Sequence, residues 1–354
     1  MSVLSLFDGM SCGRIALERS GFKVGNYFAS EIDKYAMKVS AANYPDIIQL
    51  GDVTKVNAKD LPKIDLLVGG SPCQGFSLAG KQLNFNDPRS MLFFEFVRLL
   101  KEVREKNPDV YFLLENVKMR KDYQDIISEY MGCNPIFINS ALLSAQNRLR
   151  LYWTNIPVVG LPEDRKIFLK DILEDEVADK YYLSNKMIKC LEGRKDISKS
   201  YAFIPKSIDK KAACLVAKEG QYSTCTFIEN EIITHNLQKR QGKGLGGKGH
   251  LQKTDQKSYC LDTANGQAIE KDYRIRRLTP IECERLQTVP DNHTNHVSDT
   301  QRYRMLGNGW TVDVIAWIFQ FMNEEKREEI RKKQKQTTLF DMDQPFDMEK
   351  TNEA

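Results

Sequence analysis

At 354 residues the chain is long enough for one large domain, or a large and a small one, with a substantial buried core. A composition of 41% hydrophobic and 28% charged residues is that of a soluble globular protein, and a formal charge of only +4 means that any nucleic-acid role must rest on local clusters. The eight cysteines contain no C-x-x-C pair, which argues against a zinc ribbon, a metal site or a disulfide framework and fits reduced cytoplasmic thiols. The first residues, Met1 to Gly9, are interrupted by Asp8 and lack a basic start, and no run of about eighteen apolar residues occurs. Neither export nor a membrane span is expected.

In chain order, apolar strands are predicted at 3–7, 26–30, 65–68, 110–114, 135–139 and 149–153. Helical spacing falls between them at 14–20, 34–42 and 91–106 and, more weakly, 122–131. This alternation predicts an α/β fold, a mostly parallel sheet with crossover helices. From 157 to 271 the composition shifts to Lys, Ser, Thr, Gln and Gly with short apolar runs, so a smaller, irregular region is expected there. Within it 211–215 faintly echoes 257–261, as two similar strand-and-turn units would. Helical periodicity returns at 278–287 and 312–322, so the chain leaves its first domain and comes back. The expected division is 1–156 with 272–323, then 157–271, then a tail of 324–354 that starts as a charged helix end and finishes disordered.

The first strand runs into Phe7-Asp8-Gly9-Met10-Ser11-Cys12-Gly13, small residues where backbone must approach a ligand closely. Alone, this could equally be a plain tight turn. The second strand ends at Glu31, 22 residues after Gly9, where an acidic side chain can accept from both hydroxyls of a ribose. Asp52, after Gly51, could receive the amine of an adenine. The first loop holds no basic residue for a phosphate, so S-adenosylmethionine is preferred to NAD or ATP.

The apolar strand at 65–68 breaks at Gly69-Gly70 and delivers Ser71-Pro72-Cys73 to the end of the sheet, where ligand crevices form. A lone cysteine is more often a small buried hydrophobe than a nucleophile. Here the turn residues before it and Gln74-Gly75-Phe76-Ser77 after it favour exposure, and the next strand ends in Glu115-Asn116-Val117 beside it.

With Gln146-Asn147-Arg148-Leu149-Arg150, the run from Arg277 to Gln287 (Arg-Leu-Thr-Pro-Ile-Glu-Cys-Glu-Arg-Leu-Gln) and Gly307-Asn308-Gly309, these segments resemble the ordered motif series of the DNA cytosine-C5 methyltransferase family. The likeness spans the chain to about residue 322. Some details, Leu6-Phe7-Asp8-Gly9 and Ala29-Ser30-Glu31 among them, are similar to the subgroup of the mammalian de novo enzymes, while the long 157–271 region follows the prokaryotic and phage layout.

The resemblance implies a Rossmann-like S-adenosylmethionine-dependent methyltransferase fold with a smaller target-recognition domain. It implies methylation of cytosine C5 in double-stranded DNA by a monomer in a bacterial or phage-infected cytoplasm, as part of a restriction-modification system or alone. Cys73 would attack C6 and turn the ring into an enamine, a better carbon nucleophile. Glu115 would hydrogen-bond the N3 and N4 edge, and Arg148 and Arg150, two apart on a strand, would bind O2 and a nearby phosphate. Phe7, Asp8, Gly9, Gly13, Glu31, Ile32, Asp52 and Asn308 would contact the cofactor, Ile32 against the adenine face. Ser71, Pro72, Gln74, Ser77 and Asn116 would line the base pocket, with the loop 74–87 closing over a flipped base. Ser11-Cys12-Gly13 stands where the family more usually has a different glycine-containing triplet.

In 157–271, Lys239, Arg240, Lys243 and Lys248 are interleaved with glycines, a pattern suited to tracking phosphates. Arg274, Arg276 and Arg277 are expected to anchor the return to the first domain, at least as much as to touch DNA. Near the end, Gln336-Thr337-Thr338-Leu339-Phe340 is similar to the peptide with which bacterial proteins dock on the DNA sliding clamp. Two rivals remain at this point: a transfer-RNA cytosine methyltransferase, and a silent DNA-binding regulator, which the filled catalytic positions disfavour.

Overall fold

The computed structural model describes residues 1–72, 91–184, 209–212, 214–215, 227–229, 234–236, 251–253, 267–269, 275–330 and 332. Cys73, Gln74, Ser77, the loop 74–87, Arg274, the Lys239 to Lys248 cluster, the 257–261 echo and Gln336 to Phe340 therefore lie outside the described residues.

The first body runs β1 (Ser2–Leu6), α1 (Cys12–Arg19), β2 (Asn26–Ser30), α2 (Lys34–Asn43), β3 (Ile48–Gln49), β4 (Leu66–Gly69), α3 (Met91–Lys106), β5 (Tyr111–Val117), α4 (Lys121–Met131), β6 (Ile136–Asn139) and β7 (Leu149–Thr154). The strands form a seven-stranded sheet in the order β3-β2-β1-β4-β5-β7-β6. β1 to β5 are parallel to one another, and β7 runs antiparallel to both β5 and β6. The expected strands and helices are all present.

Central strands of such a sheet are covered on both faces, so they read as unbroken apolar runs rather than alternating ones. Successive side chains of one strand then serve two cores. Val3, Leu66, Val68 and Leu113 join one core with Ile15 and Leu17 of α1. Leu4, Leu6, Leu67, Phe112 and Leu114 join the other with Phe93, Phe96, Leu99 and Val103 of α3. The connections leave β1 toward β2 on one side, while β4 lies on its other side. That reversal opens a crevice beyond the carboxyl ends of β1 and β4, the usual place for a ligand in an open α/β sheet.

The smaller region contributes short antiparallel strands: β8 (Phe227–Glu229), β9 (Thr234–Asn236), β10 (Leu251–Lys253) and β11 (Gln267–Ile269), with β12 (Ile275–Arg277) pairing β8 on the way back. Its expected start at 157 does not coincide with the edge of the larger core. Leu169, Ile172, Tyr181, Ala212 and Leu215 are buried in the same core as α1. The Lys211 ammonium, bonded to the carbonyls of Ala141, Ser144 and Ile167, ties that segment down.

The return comprises α5 (Pro280–Leu286), α6 (Asp299–Asn308) and α7 (Val312–Gln320). Thr279 and Glu282 form a reciprocal capping box at the start of α5, with proline in the first turn. Glu282 also holds Arg276 through two 2.7 Å bonds, a buried ion pair within the returning segment. Arg277 stacks over the rings of Tyr181 and Tyr303. α7 packs along α1: Ser20 Oγ donates to Ala316 O at 3.0 Å, and Arg19 pairs with Asp313 at 2.6 Å. Helical backbone continues over 324–330. No described helix is long and apolar enough to cross a membrane.

Candidate active site

A cavity of about 400 Å³ opens at the switch point, lined by the turns after β1, β2, β3, β4 and β5, by Arg148 and Arg150, and by residues 304–310 of the returning chain. Phe7, Asp8, Gly9, Glu31, Ile32, Asp52 and Asn308 all line it, as do Ser71, Pro72, Glu115 and Asn116.

On one side of the cavity the backbone is bent tightly. Phe7, Gly9 and Ser11 have φ of 56°, 61° and 65°, a left-handed conformation that suits glycine and is unfavourable for the other two. Ser11 is fixed by its bond to Asp8 Oδ2 (2.6 Å) and by Ser40. Glu31 draws the turns together: Oε2 accepts from Gly9 N, and Oε1 from Ile32 N and Asp33 N, each at 2.8 Å. Ile32 is 76% exposed, an apolar side chain left open on the cavity wall. Asp52 accepts from Thr54, first its backbone N and then its hydroxyl, and these bonds hold its carboxyl below the usual range. Arg304 reaches Asp33 across the cavity at 3.5 Å.

Two residues expected at the cofactor also have packing tasks. The Asp8 carboxylate turns inward, where it accepts from Tyr27 Oη at 2.7 Å as well as from Ser11, and burial raises its pKa. Gly13 does not line the cavity. A Cβ there would stand 2.8 Å from Tyr27 Oη, so this glycine serves the packing of α1 on β2.

The other side of the cavity is built around Glu115. Its Oε1 lies 3.1 Å from Arg150 Nε, and its Oε2 accepts from Trp310 Nε1 at 3.2 Å. A Cβ on Gly70 would come within 2.9 Å of both Glu115 Oε2 and Trp310 Nε1, so only glycine lets these groups meet over the end of β4. The Asn116 amide reaches Ser71 Oγ at 3.2 Å and Ser71 O at 3.4 Å. It thereby ties β5 to the turn that leads into Cys73.

Arg148 departs from expectation. Although it borders the cavity, its guanidinium is buried and donates to Leu215 O (2.7 Å), Gly309 O (2.9 Å) and Gly307 O (3.1 Å). With those carbonyls as partners it fastens three segments together and is not free for a base or phosphate. Arg150 keeps the polar task, facing Glu115, with the Cys214 sulfur 3.6 Å from Nη2. The cysteine that does border the cavity among the described residues, Cys12, is pushed up to about 12 by burial, so it is a neutral packing group. Trp310 was missed because a tryptophan after Gly-Asn-Gly reads as core. Among the described residues no cluster of His, Cys, Asp or Glu could hold a metal.

Comparison with known proteins gives the family. The profile of the C-5 cytosine-specific DNA methylases matches residues 1–131 and 136–324. The chain belongs to that family. It is a C5-cytosine DNA methyltransferase, as its motif series implied. Among its relatives, the type II methyltransferase M1.ScrFI of Lactococcus lactis subsp. cremoris is 33% identical over 344 residues, covering 91% of this chain and 78% of that protein. The orphan methyltransferase M.SPRI of Bacillus phage SPR is 30% identical over 434 residues, with 90% and 96% covered. The fold is that of S-adenosylmethionine-dependent methyltransferases. It is shared with the Entamoeba histolytica methyltransferase EhMeth (TM-score 0.66, 17% identity, 91% of this chain and 97% of that one). S. pombe Dnmt2 is similar in fold (TM-score 0.62, 17% identity, 90% and 97% covered).

Proposed function

We propose that this methyltransferase acts on cytosine within a particular sequence of double-stranded DNA, using Cys73 as covalent nucleophile, Glu115 on the base edge and S-adenosylmethionine as methyl donor. The observation that carries the reading is the clamped Glu115 carboxyl, set between Arg150 and Trp310 beside the Ser71-Pro72 turn that leads into Cys73.

The cavity suits the cofactor. Its open apolar Ile32, the Glu31 carboxylate at a strand end and the exposed Asn308 match an adenine face, ribose hydroxyls and a methionine end. Phe7, Gly9 and Asp52 complete the set. When bound, the cofactor supplies the electrophilic methyl group. The protein's own part begins with extrusion of the base, at a cost of a few kcal/mol recovered by pocket contacts. The Cys73 thiolate then bonds C6, and the Glu115 carboxyl donates toward N3 while accepting from N4, so negative charge does not build up on the ring. Arg150, paired with Glu115, would take O2. Loss of the C5 proton and expulsion of Cys73 complete the cycle. Asn116 and Ser71 would hold the nucleophile's turn, and Pro72, Gln74 and Ser77 are assigned to the base pocket on the motif likeness alone.

Residues Lys239, Arg240, Lys243 and Lys248 would neutralise phosphates and bring the 157–271 region into a groove. Gln336 to Phe340 would recruit the enzyme to the sliding clamp. We read the protein as a monomer of the cytoplasm, serving in restriction-modification or as a solitary modifier.

Bisulfite sequencing of DNA from cells expressing the protein or its Cys73→Ser variant tests this reading and yields the recognition sequence. The parent should leave 5-methylcytosine at one sequence and the variant none, while transfer RNA offered in parallel should take up no methyl group. Methylation that persists in the variant would sink the assignment of Cys73.

A further inference from the structure

The two donors that hold Glu115 come from distant parts of the chain, and they differ in kind. Arg150 is its neighbour on the paired strand β7, a charged partner on Oε1. Trp310 stands 195 residues away, in the turn between α6 and α7, and reaches Oε2 with a neutral N–H. An indole N–H can only donate, so it is matched to a carboxyl oxygen and to nothing a base would offer as a donor. With one donor on each oxygen, the plane of the carboxyl group is fixed, while its remaining lone pairs stay available to a base edge. Gly70 completes the arrangement, since any side chain there would collide with both partners.

Trp310 also adjoins the cofactor side. It follows Asn308 and Gly309, and a Cβ on Gly309 would stand 3.5 Å from the Cys12 sulfur at the start of α1. A Cβ on Gly309 would stand 2.8 Å from the Met10 methyl group, so the two turns are in close contact. The segment that carries the indole is thus the wall between the cavity's two sides.

We propose that Trp310 is a positioning residue for methyl transfer, its indole N–H holding the Glu115 carboxyl in the plane from which it meets the cytosine edge. The inference deepens the role given to Glu115 above and rests on it. Because the indole acts through Glu115, its effect falls on turnover and not on binding of either substrate.

Trp310→Phe removes the N–H and keeps a ring of similar shape. On unmethylated duplex DNA containing the target sequence, kcat should fall about tenfold, as expected for one hydrogen bond to a charged group. The KM for DNA and the calorimetric Kd for S-adenosylhomocysteine should stay within about twofold of the parent. In a Glu115→Gln background the same substitution should cost almost nothing more, because the group it positions is gone. An unchanged kcat in Trp310→Phe, or equal losses in both backgrounds, overturns the proposal. So does a Trp310→Phe protein that has lost S-adenosylhomocysteine binding or melts well below the parent, since that marks a structural role. Full activity in Glu115→Gln alone would instead strike down the reading of Glu115, and the inference with it.

Discussion

The two sides of the cavity are held by bonds of different reach. On the side of Glu31, the carboxylate gathers Gly9, Ile32 and Asp33, and Asp52 bonds Thr54, so the longest of these contacts spans 22 residues. On the side of Glu115, Trp310 lies 195 residues away, and Arg148 reaches Gly307 across 159 and Leu215 across 67. Most of the first side is assembled by consecutive strand-turn-helix units, with Arg304 and Asn308 added from the returning chain. The second exists only when the whole chain has returned. Cofactor binding and base chemistry should therefore fail separately when single residues are changed.

The largest such separation is expected at Gly70. Gly70→Ala pushes against Glu115 and Trp310 together, and a displacement on the order of 1 Å at a reacting group costs about 10²-fold in rate. Single-turnover methylation should slow to that extent while S-adenosylhomocysteine binding is retained; loss of both would show that the two sides are not independent. Glu31→Gln should do the reverse, weakening the Kd for S-adenosylhomocysteine about tenfold by calorimetry with turnover at saturating cofactor little changed. A turnover defect at saturation would break the comparison.

The smallest effect concerns pH. His293 Nε2 lies 2.9 Å from Met10 O, and burial holds the imidazole below its ordinary pKa. As pH falls through about 6.5, the unfolded chain takes up a proton that the folded protein refuses, so stability declines until the lower folded pKa is passed. Thermal melts between about pH 7.5 and about pH 5.5 should show that decline, and His293→Gln should flatten it. An equal slope in both proteins would remove His293 as its source.

This difference in reach also decides what could be read from the amino-acid sequence. The strands and the turns after β1 and β2 were legible because an apolar run, a glycine and an acidic residue at a fixed distance are local signals. α6 was not, since its buried face mixes Arg302, Tyr303, Met305 and Leu306 and its ends are polar. Arg148 and Arg150 are the same residue type at period-two spacing, which predicts one shared task. Only the carbonyls of Leu215, Gly307 and Gly309 separate them, and no pattern within 146–150 announces those partners. Asp8 and Gly13 illustrate the same point: a small or acidic residue in a ligand turn is indistinguishable in sequence from one that also packs against Tyr27.

The pairing of α1 with α7 bears on the order in which a newly made chain becomes an enzyme. Domains fold as units while the ribosome is still adding residues. Here the bonds from Ser20 to Ala316 and from Arg19 to Asp313 join the first helix to the last one of the core. A nascent chain can form the strand ends that flank the cavity early, but the wall at 304–310 is missing until nearly all of the body has been translated. A chain that stops short of 304–310 lacks that wall and is left without a closed site.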